Sequence, residues 1–500
     1  MAKRNYKVGQ NRYQMAILPP SIDEYISEHN PVRAIEAYVE TLTLADLNLK
    51  NSESGLTAGQ PAFHPTLLIK LYLYGYMNRI HSSRRLEREA TRNLEVIWLV
   101  GNLTPSYKTI ANFRKDNSEA LKAINKDFIL LCRQLNLFKG EEVAVDGSFF
   151  KADARKDSIY TDKKLEQQLA ELDKKIEAYQ QQLAEQDALD DKNRLESLVD
   201  DKDLSQKIER LKKQQAQKKE LQDRLKASSE TQISTVDPDA RLLSKRGETT
   251  AGYNVQIAVD SQHKLIVAVD VTQDGNDTQL LMPMLEKAQE VLQSDQMIGL
   301  ADSGYYSGEQ IKQAKEKGVE IYVPIPQTRG PKVEEGRFTR DQFIYDTEKD
   351  SYVCPQGEKI ARCGKLQKRN GRYTYTYKSK RSVCKTCPLR AQCLTEKGAT
   401  KKIDRWAHED LVDQHRAHMK GSAEKMKNRS SYVEHPFGTL KHRAGKRHFL
   451  MRGLEKCQGE FSLMALCYNF TRVLNILGVD ALRDFCAQLL RNGKKRTVFA

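Results

Sequence analysis

The chain has 500 residues, room for more than one domain, and carries 82 Lys+Arg against 67 Asp+Glu, a formal net charge of +15. A basic balance of that size favours a polyanionic partner, either nucleic acid or an anionic surface. No stretch approaches about 18 consecutive apolar residues, which excludes a membrane-spanning helix. The basic start MAKRNYKVGQNRYQ lacks the apolar core of a secretion signal. The expectation is therefore a cytoplasmic protein whose partner is nucleic acid rather than a membrane.

Residues 1–135 read as helical. HPTLLIKLYLYGYM, SSRRLEREATRNLEVIWLVG, TIANFRKDN and SEALKAINKDFILLCRQL carry apolar residues at helical spacing, with Arg and Lys between them. Short basic helices suit a helical DNA-binding domain; a helical packing or dimerisation domain is the plainer reading. The pattern then changes. Val143-Ala144-Val145 reads as a strand that ends in a turn at Asp146-Gly147. YNVQIAVD, KLIVAVDVTQD, MIGLADSGY and EIYVPIP read as further strands. The helix TQLLMPMLEKAQEVL falls between the third and fourth strands. SGEQIKQAKEKG, closed by Gly318, falls between the fourth and fifth. The fold class is α/β, with this domain placed at 140–475. Asp146 and Asp302 fall at strand carboxyl ends, where open α/β sheets place their sites.

Two segments interrupt that domain. Residues 161–232 contain no Gly or Pro. Leu165, Leu169, Leu172, Ile176, Tyr179 and Leu183 form an a/d seam, and Leu204, Ile208 and Leu211 begin a second. The spacing predicts a coiled-coil hairpin turning at DALDDKNRLES, serving dimerisation or DNA contact, or acting only as a solvated spacer. Residues 345–402 form the second interruption and hold five of the nine cysteines. An odd number of cysteines in a reducing compartment argues against a disulfide framework. Cys384-x-x-Cys387, with Cys393 and Cys354, could supply four thiolates to a structural Zn²⁺, and Cys363 could replace Cys354. The alternative is reduced thiols packed in a small β-rich insertion. Cys132, Cys457, Cys467 and Cys486 lie in apolar helical surroundings and read as core. Residues 476–500 read as a basic C-terminal tail.

Cleavage of a phosphodiester by two metal ions needs carboxylates converging from separate parts of a rigid scaffold. Asp146, Asp302 and one acid on a later helix meet that need. Glu434, flanked by Arg429, Lys441, His442 and Arg443, is the third candidate. Lys441 lies seven residues on, two helical turns away and on the same face. Each has a plainer reading. Asp before Gly, or before Ser-Gly, is a common turn residue. Glu434 three residues after Ser431 fits a helix-capping box, and Pro436 argues against a helix running through it.

VAVDGSFFKADA, GLADSGYY and RSSYVEHPFGTLKHR resemble the three catalytic blocks of the DDE transposases of bacterial insertion sequences. In that family, Glu is followed seven positions later by Lys or Arg. AGYNVQIAVDSQHKLIVAVDVTQDGND resembles the second and third strands of the family. HPTLLIKLYLYGYMNRIHSSRRLE with TIANFR resembles its helical N-terminal domain. VCPQG with CKTCPLRAQC resembles its cysteine-bearing insertion. The resemblance runs from about residue 15 to 475 and implies a ribonuclease-H-like mixed sheet flanked by helices. It also implies Asp146, Asp302 and Glu434 as ligands of two Mg²⁺ or Mn²⁺ ions, with Lys441 beside them. It further implies double-stranded DNA as partner, both the terminal inverted repeats of an element and its target, bound by a homo-oligomer. Related enzymes often carry Tyr and Arg at set distances from the Glu. Tyr432 and Arg429 stand nearby, without a confirmed match to that spacing. The residues leave two other readings open: a non-catalytic DNA-binding descendant of a transposase, and a nuclease that cuts without joining.

Overall fold

The structure, a computed structural model, describes residues 21–50, 61–189, 197–245, 247–294, 296–326, 336–369, 371–443 and 448–492. The basic start, the hairpin turn at 190–196 and the end of the basic tail lie outside the described residues. In chain order the strands are β1 (Glu142–Lys151), β2 (Ile159–Thr161), β3 (Gln232–Ser234), β4 (Arg241–Lys245), β5 (Glu248–Asp260), β6 (Ile266–Thr272), β7 (Ile298–Leu300), β8 (Glu320–Tyr322), β9 (Ile344–Asp346), β10 (Ser351–Val353), β11 (Lys359–Arg369), β12 (Arg372–Lys378) and β13 (Lys402–Trp406). The chain divides into two compact units. One comprises 1–134, 150–241 and 438–500; the other comprises 135–149 and 242–437.

The first unit is helical. Its centre is the helix Leu454–Leu477, buried without a break from Gly459 to Phe470. Tyr38 and Phe128 meet edge to face at 5.0 Å, and Phe128 stacks on Phe470 at 5.1 Å. N-terminal and C-terminal segments thus share one core, whereas the sequence pattern assigns residues up to 475 to the catalytic domain. A Cβ on Gly459 would fall 2.7 Å from Ser118 Cα, so only glycine permits the helix Ser118–Gln134 to approach this closely. Among the described residues, no single helix is long and apolar enough to cross a membrane.

The same unit carries two long helices, Asp162–Leu189 and Ser197–Ala227. Lys218 Nζ donates to Gln168 Oε1 (2.6 Å) and Gln222 Nε2 to Asp162 Oδ1 (3.0 Å), so the two run antiparallel. Leu165, Leu169, Leu172, Ile176, Ile208 and Leu225 are buried between them. At their base, β2 and β3 pair antiparallel.

The second unit contains the mixed sheet. Its order is β6-β5-β1-β7-β8, with β4 also pairing with β5. β1, β7 and β8 are parallel, and β5 and β6 are antiparallel. The Ser261 N–H donates to Glu142 O at 3.1 Å, so the end of β5 lies against the start of β1. Numbered by their order in the chain, the five principal strands run 3-2-1-4-5, the order of a ribonuclease-H-like sheet. The helices Leu281–Leu292 and Gly308–Glu316 follow β6 and β7 and cover the sheet. Val143, Val145, Met282, Leu285, Ala288, Ile311 and Trp406 share the resulting core.

The cysteine-bearing segment is a separate five-stranded antiparallel sheet, β13-β12-β11-β10-β9, around Phe343, Tyr352, Ile360, Tyr377 and Ile403. Two short helices, Arg381–Lys385 and Arg390–Cys393, carry Cys384 and Cys393, with Cys387 between them.

Candidate active site

The register of the sheet brings the two aspartates together. Ala144 pairs with Leu300 at the end of the parallel ladder. Asp146 and Asp302 each lie two residues further on, on adjacent strand paths and with the same side-chain parity. Their proximity is electrostatic as well as topological, because the negative charge of Asp302 helps to raise the Asp146 pKa. One expectation is corrected. Asp146-Gly147 is not a turn, since β1 continues unbroken to Lys151. Gly147 is needed for space instead: a Cβ there would fall 2.3 Å from Gln256 Nε2 and 2.9 Å from Asp277 Oδ1. Asp302 does occupy a turn. It caps the short 3₁₀ segment Ser303–Tyr305, accepting the Gly304 N–H at 2.8 Å.

Arg429 sets the electrostatics. Its guanidinium is 2.9 Å from Asp146 Oδ1 and also donates to Val145 O at 3.3 Å. Burial is nevertheless the larger influence on Asp146 and pushes its carboxyl above the ordinary value, against the opposing pull of Arg429. The ion pair therefore offsets the desolvation of the carboxylate only in part.

A third aspartate stands beside this pair, one that the sequence pattern does not single out. Asp277 Oδ1 accepts from Asn254 Nδ2 and Gln256 Nε2, both at 2.8 Å. Tyr305 donates to Gln256 Oε1. Its phenol is pushed far up, first by burial and then by the charges of Asp277, Asp146 and Asp302. Asp277 lies in a loop within DGNDTQ, and only its long-range partners reveal it.

Glu434 lies on the helix Ala423–Arg443, which runs through Pro436. The capping-box reading is overturned: the helix begins eleven residues earlier, and Ser431 Oγ donates to Asn428 O at 2.8 Å. Arg429, Val433, Pro436, Phe437 and Leu440 form the buried seam of this helix, while Glu434 is exposed. Lys441 follows two turns later on the same helix. Tyr432 faces Glu142, whose charge, after burial, raises the tyrosine pKa. Among the described residues, no three His, Cys, Asp or Glu side chains converge closely enough to hold an ion. Asp146 and Asp302 stand near one another, with Asp277 adjacent, and Glu434 stands on the exposed side of the helix that Arg429 ties to β1. Paired carboxylate oxygens that repel one another suit a hard divalent cation.

Cys354, Cys384, Cys387 and Cys393 line one cavity of about 480 Å³ and are half-buried. Cys363 is exposed on β11 and does not line it. The Cys393 thiol is pushed up, mainly by burial.

Residues 353–474 match the family described as "Transposase DDE domain", and residues 20–116 match "Transposase domain (DUF772)". Two separate stretches of the chain thus match transposase domain models, the second of them of the DDE type. The first match includes Glu434, Lys441 and the four cavity cysteines; Asp146 and Asp302 precede it. DDE transposases use divalent metal ions. A comparison with curated protein sequences yields no match. Among solved structures, a piggyBac transposase synaptic complex with hairpin DNA is similar over 92% of this chain and 79% of that chain, at 8% identity and a TM-score of 0.34. A likeness this distant carries no weight for the site.

Proposed function

We propose that this transposase binds the ends of an insertion sequence, cuts them and joins them to a target, with Asp146, Asp302 and Glu434 holding two Mg²⁺ or Mn²⁺ ions. The observation that carries this reading is that Ala144 pairs with Leu300 at the end of the parallel ladder, with Asp146 and Asp302 each two residues beyond. The ions, when bound, activate the attacking oxygen and stabilise the leaving one. Asp146 and Asp302 supply oxygen donors from a rigid sheet. Glu434 supplies a further donor from a helix that Arg429 anchors to β1. Lys441, two turns along, is a cation suited to a phosphate. Because two element ends must be brought together, the working form holds more than one copy of the chain, and its partner is double-stranded DNA.

Purified protein should cut duplexes carrying candidate element ends in Mg²⁺, and EDTA should abolish cutting while leaving binding intact. Sustained cutting in EDTA would remove metal from the mechanism. Cutting without any joined product would identify a nuclease instead.

We also propose that Cys354, Cys384, Cys387 and Cys393, which line a single cavity without converging as they stand, close on one structural Zn²⁺ when it binds. Elemental analysis should find about one zinc per chain, and Cys384→Ser with Cys387→Ser should lower that content several-fold. Folded protein free of zinc would leave the thiols a packing role alone.

A further inference from the structure

In the helical unit, a cavity of about 550 Å³ opens beside the turn between the helices Pro65–Met77 and Ser83–Arg92. Arg79, His81, Arg85, Arg114, His448 and Glu460 line it. Arg114 forms its base. Its side chain is only 5% exposed. One Nη donates to Tyr76 OH (2.8 Å) and to His81 O (3.3 Å). Among the described residues its buried Nε has no hydrogen-bond partner. A desolvated guanidinium donor left unmet is costly, and here it belongs to a residue that lines a cavity.

The charge balance favours an anion. Among the described residues Glu460 is the one acidic residue lining the cavity, and its oxygens are already engaged: Oε1 accepts from Tyr76 OH (3.2 Å), and Oε2 accepts from the Leu450 and Met451 N–H groups (2.9 and 3.0 Å). It lies 4.0 Å from Arg114, which leaves Arg79 and Arg85 at the mouth, both exposed, without an opposing carboxylate in the lining. Burial, reinforced by Arg114 and Arg85, lowers the His81 pKa to about 4. The ring is therefore neutral at physiological pH and can hydrogen-bond without adding charge. The ten-residue helix Ser83–Arg92 begins at this wall, and the Ser82 side chain makes no capping hydrogen bond. Its first N–H groups and its dipole add to the field that favours an anion.

We propose that this cavity seats one backbone phosphate of bound DNA, gripped by Arg79 and Arg85 at the mouth with the Arg114 guanidinium at the base. The assignment rests on the reading of the chain as a DNA-binding transposase, and it names a contact separate from the aspartate pair. It fixes a strand by its backbone and carries no base specificity.

The test uses full-length protein carrying Arg79→Gln and Arg85→Gln, both surface changes. Binding to duplex DNA is followed by anisotropy as salt rises. Losing one seated phosphate should reduce the slope of log K against log salt by about 1 and the low-salt affinity about tenfold. The companion pair Arg88→Gln with Arg92→Gln, on the same helix but outside the cavity, should leave the slope unchanged. Equal losses in the two pairs would mean a diffuse basic face and overturn the seat, as would an unchanged slope in the first pair. Inorganic phosphate supplies the second arm: it should raise the melting temperature of the native chain and not that of the Arg79/Arg85 variant. A native chain that binds no DNA yet shows this difference would defeat the DNA reading and the backbone assignment together, leaving a free-phosphate site. Absence of both effects would eliminate the site.

Discussion

Asp146→Asn, Asp302→Asn and Glu434→Gln should each reduce strand cutting by about 10³- to 10⁵-fold, the scale on which one member of a cooperating set acts, and double variants should lose little more. DNA binding should persist in all three. Stability should then separate the two aspartates. Asp302→Asn removes a charge that disfavours ionised Asp146, so the folded protein should keep its melting temperature or gain slightly. Asp146→Asn leaves the buried Arg429 without its carboxylate at 2.9 Å, and melting should fall. Cleavage of element-end DNA, run beside thermal unfolding, checks both statements. Near-native cutting by folded Glu434→Gln would exclude Glu434 and make Asp277 the next ligand to test, because it already stands beside the pair. Equal melting of the two Asp→Asn variants would show that the Arg429 pairing carries no weight.

Arg429→Met should destabilise the sheet-bearing unit by about 3 kcal/mol at neutral pH, the range for breaking a buried ion pair from one side. The side chains of Arg429 and Asp146 are 10% and 23% exposed, so solvent screening is limited. The sign of the pH dependence follows from the direction of the Asp146 shift. Burial already raises its folded pKa above 3.8, and Arg429 is the largest influence lowering it. Without Arg429 the folded pKa rises further. The folded state then binds more protons than the unfolded chain between 3.8 and that higher value, so stability falls as pH rises through this window. The penalty should be full above the folded pKa and should fade as pH falls toward 3.8. Urea unfolding of both proteins at several pH values measures it. Arg429→Met combined with Asp146→Asn should recover most of the loss, since no buried charge then lacks its partner. A penalty of the same size at pH 4 and pH 7, or no recovery in the double variant, would refute the account.

Much of the site can be read from the sequence because its determinants are local. Val143–Val145 and Ile298–Ala301 are short runs without a charged residue, as a buried strand requires, and each is followed directly by an aspartate. That equal spacing becomes a pair of neighbouring carboxylates once the two strands run parallel in register. The long a/d seams likewise specify two helices, since period and absence of Gly or Pro act along a single segment.

Tertiary structure decides the rest, where the interaction joins residues that no local pattern links. Arg429 meets Val145 across 284 residues of sequence, and nothing in its own helix marks it as the partner of Asp146. Asp277 has the local character of a loop residue; the amides of Asn254 and Gln256 place it beside the aspartate pair. Gly147 next to Asp146 suggests a turn by composition, yet β1 continues, because the glycine answers to steric pressure from Gln256. Ser431 and Glu434 have the spacing of a helix cap, but that helix begins at Ala423. The pattern 459–477 is that of a buried helix whichever core receives it; only packing, with Gly459 against Ser118, assigns it to the N-terminal helices. Composition and periodicity thus determine which segments are strands or helices and where the aspartates fall along them. Register, burial and long-range ion pairing determine which of those charges meet, because these free energies depend on distances that arise only when the chain is folded.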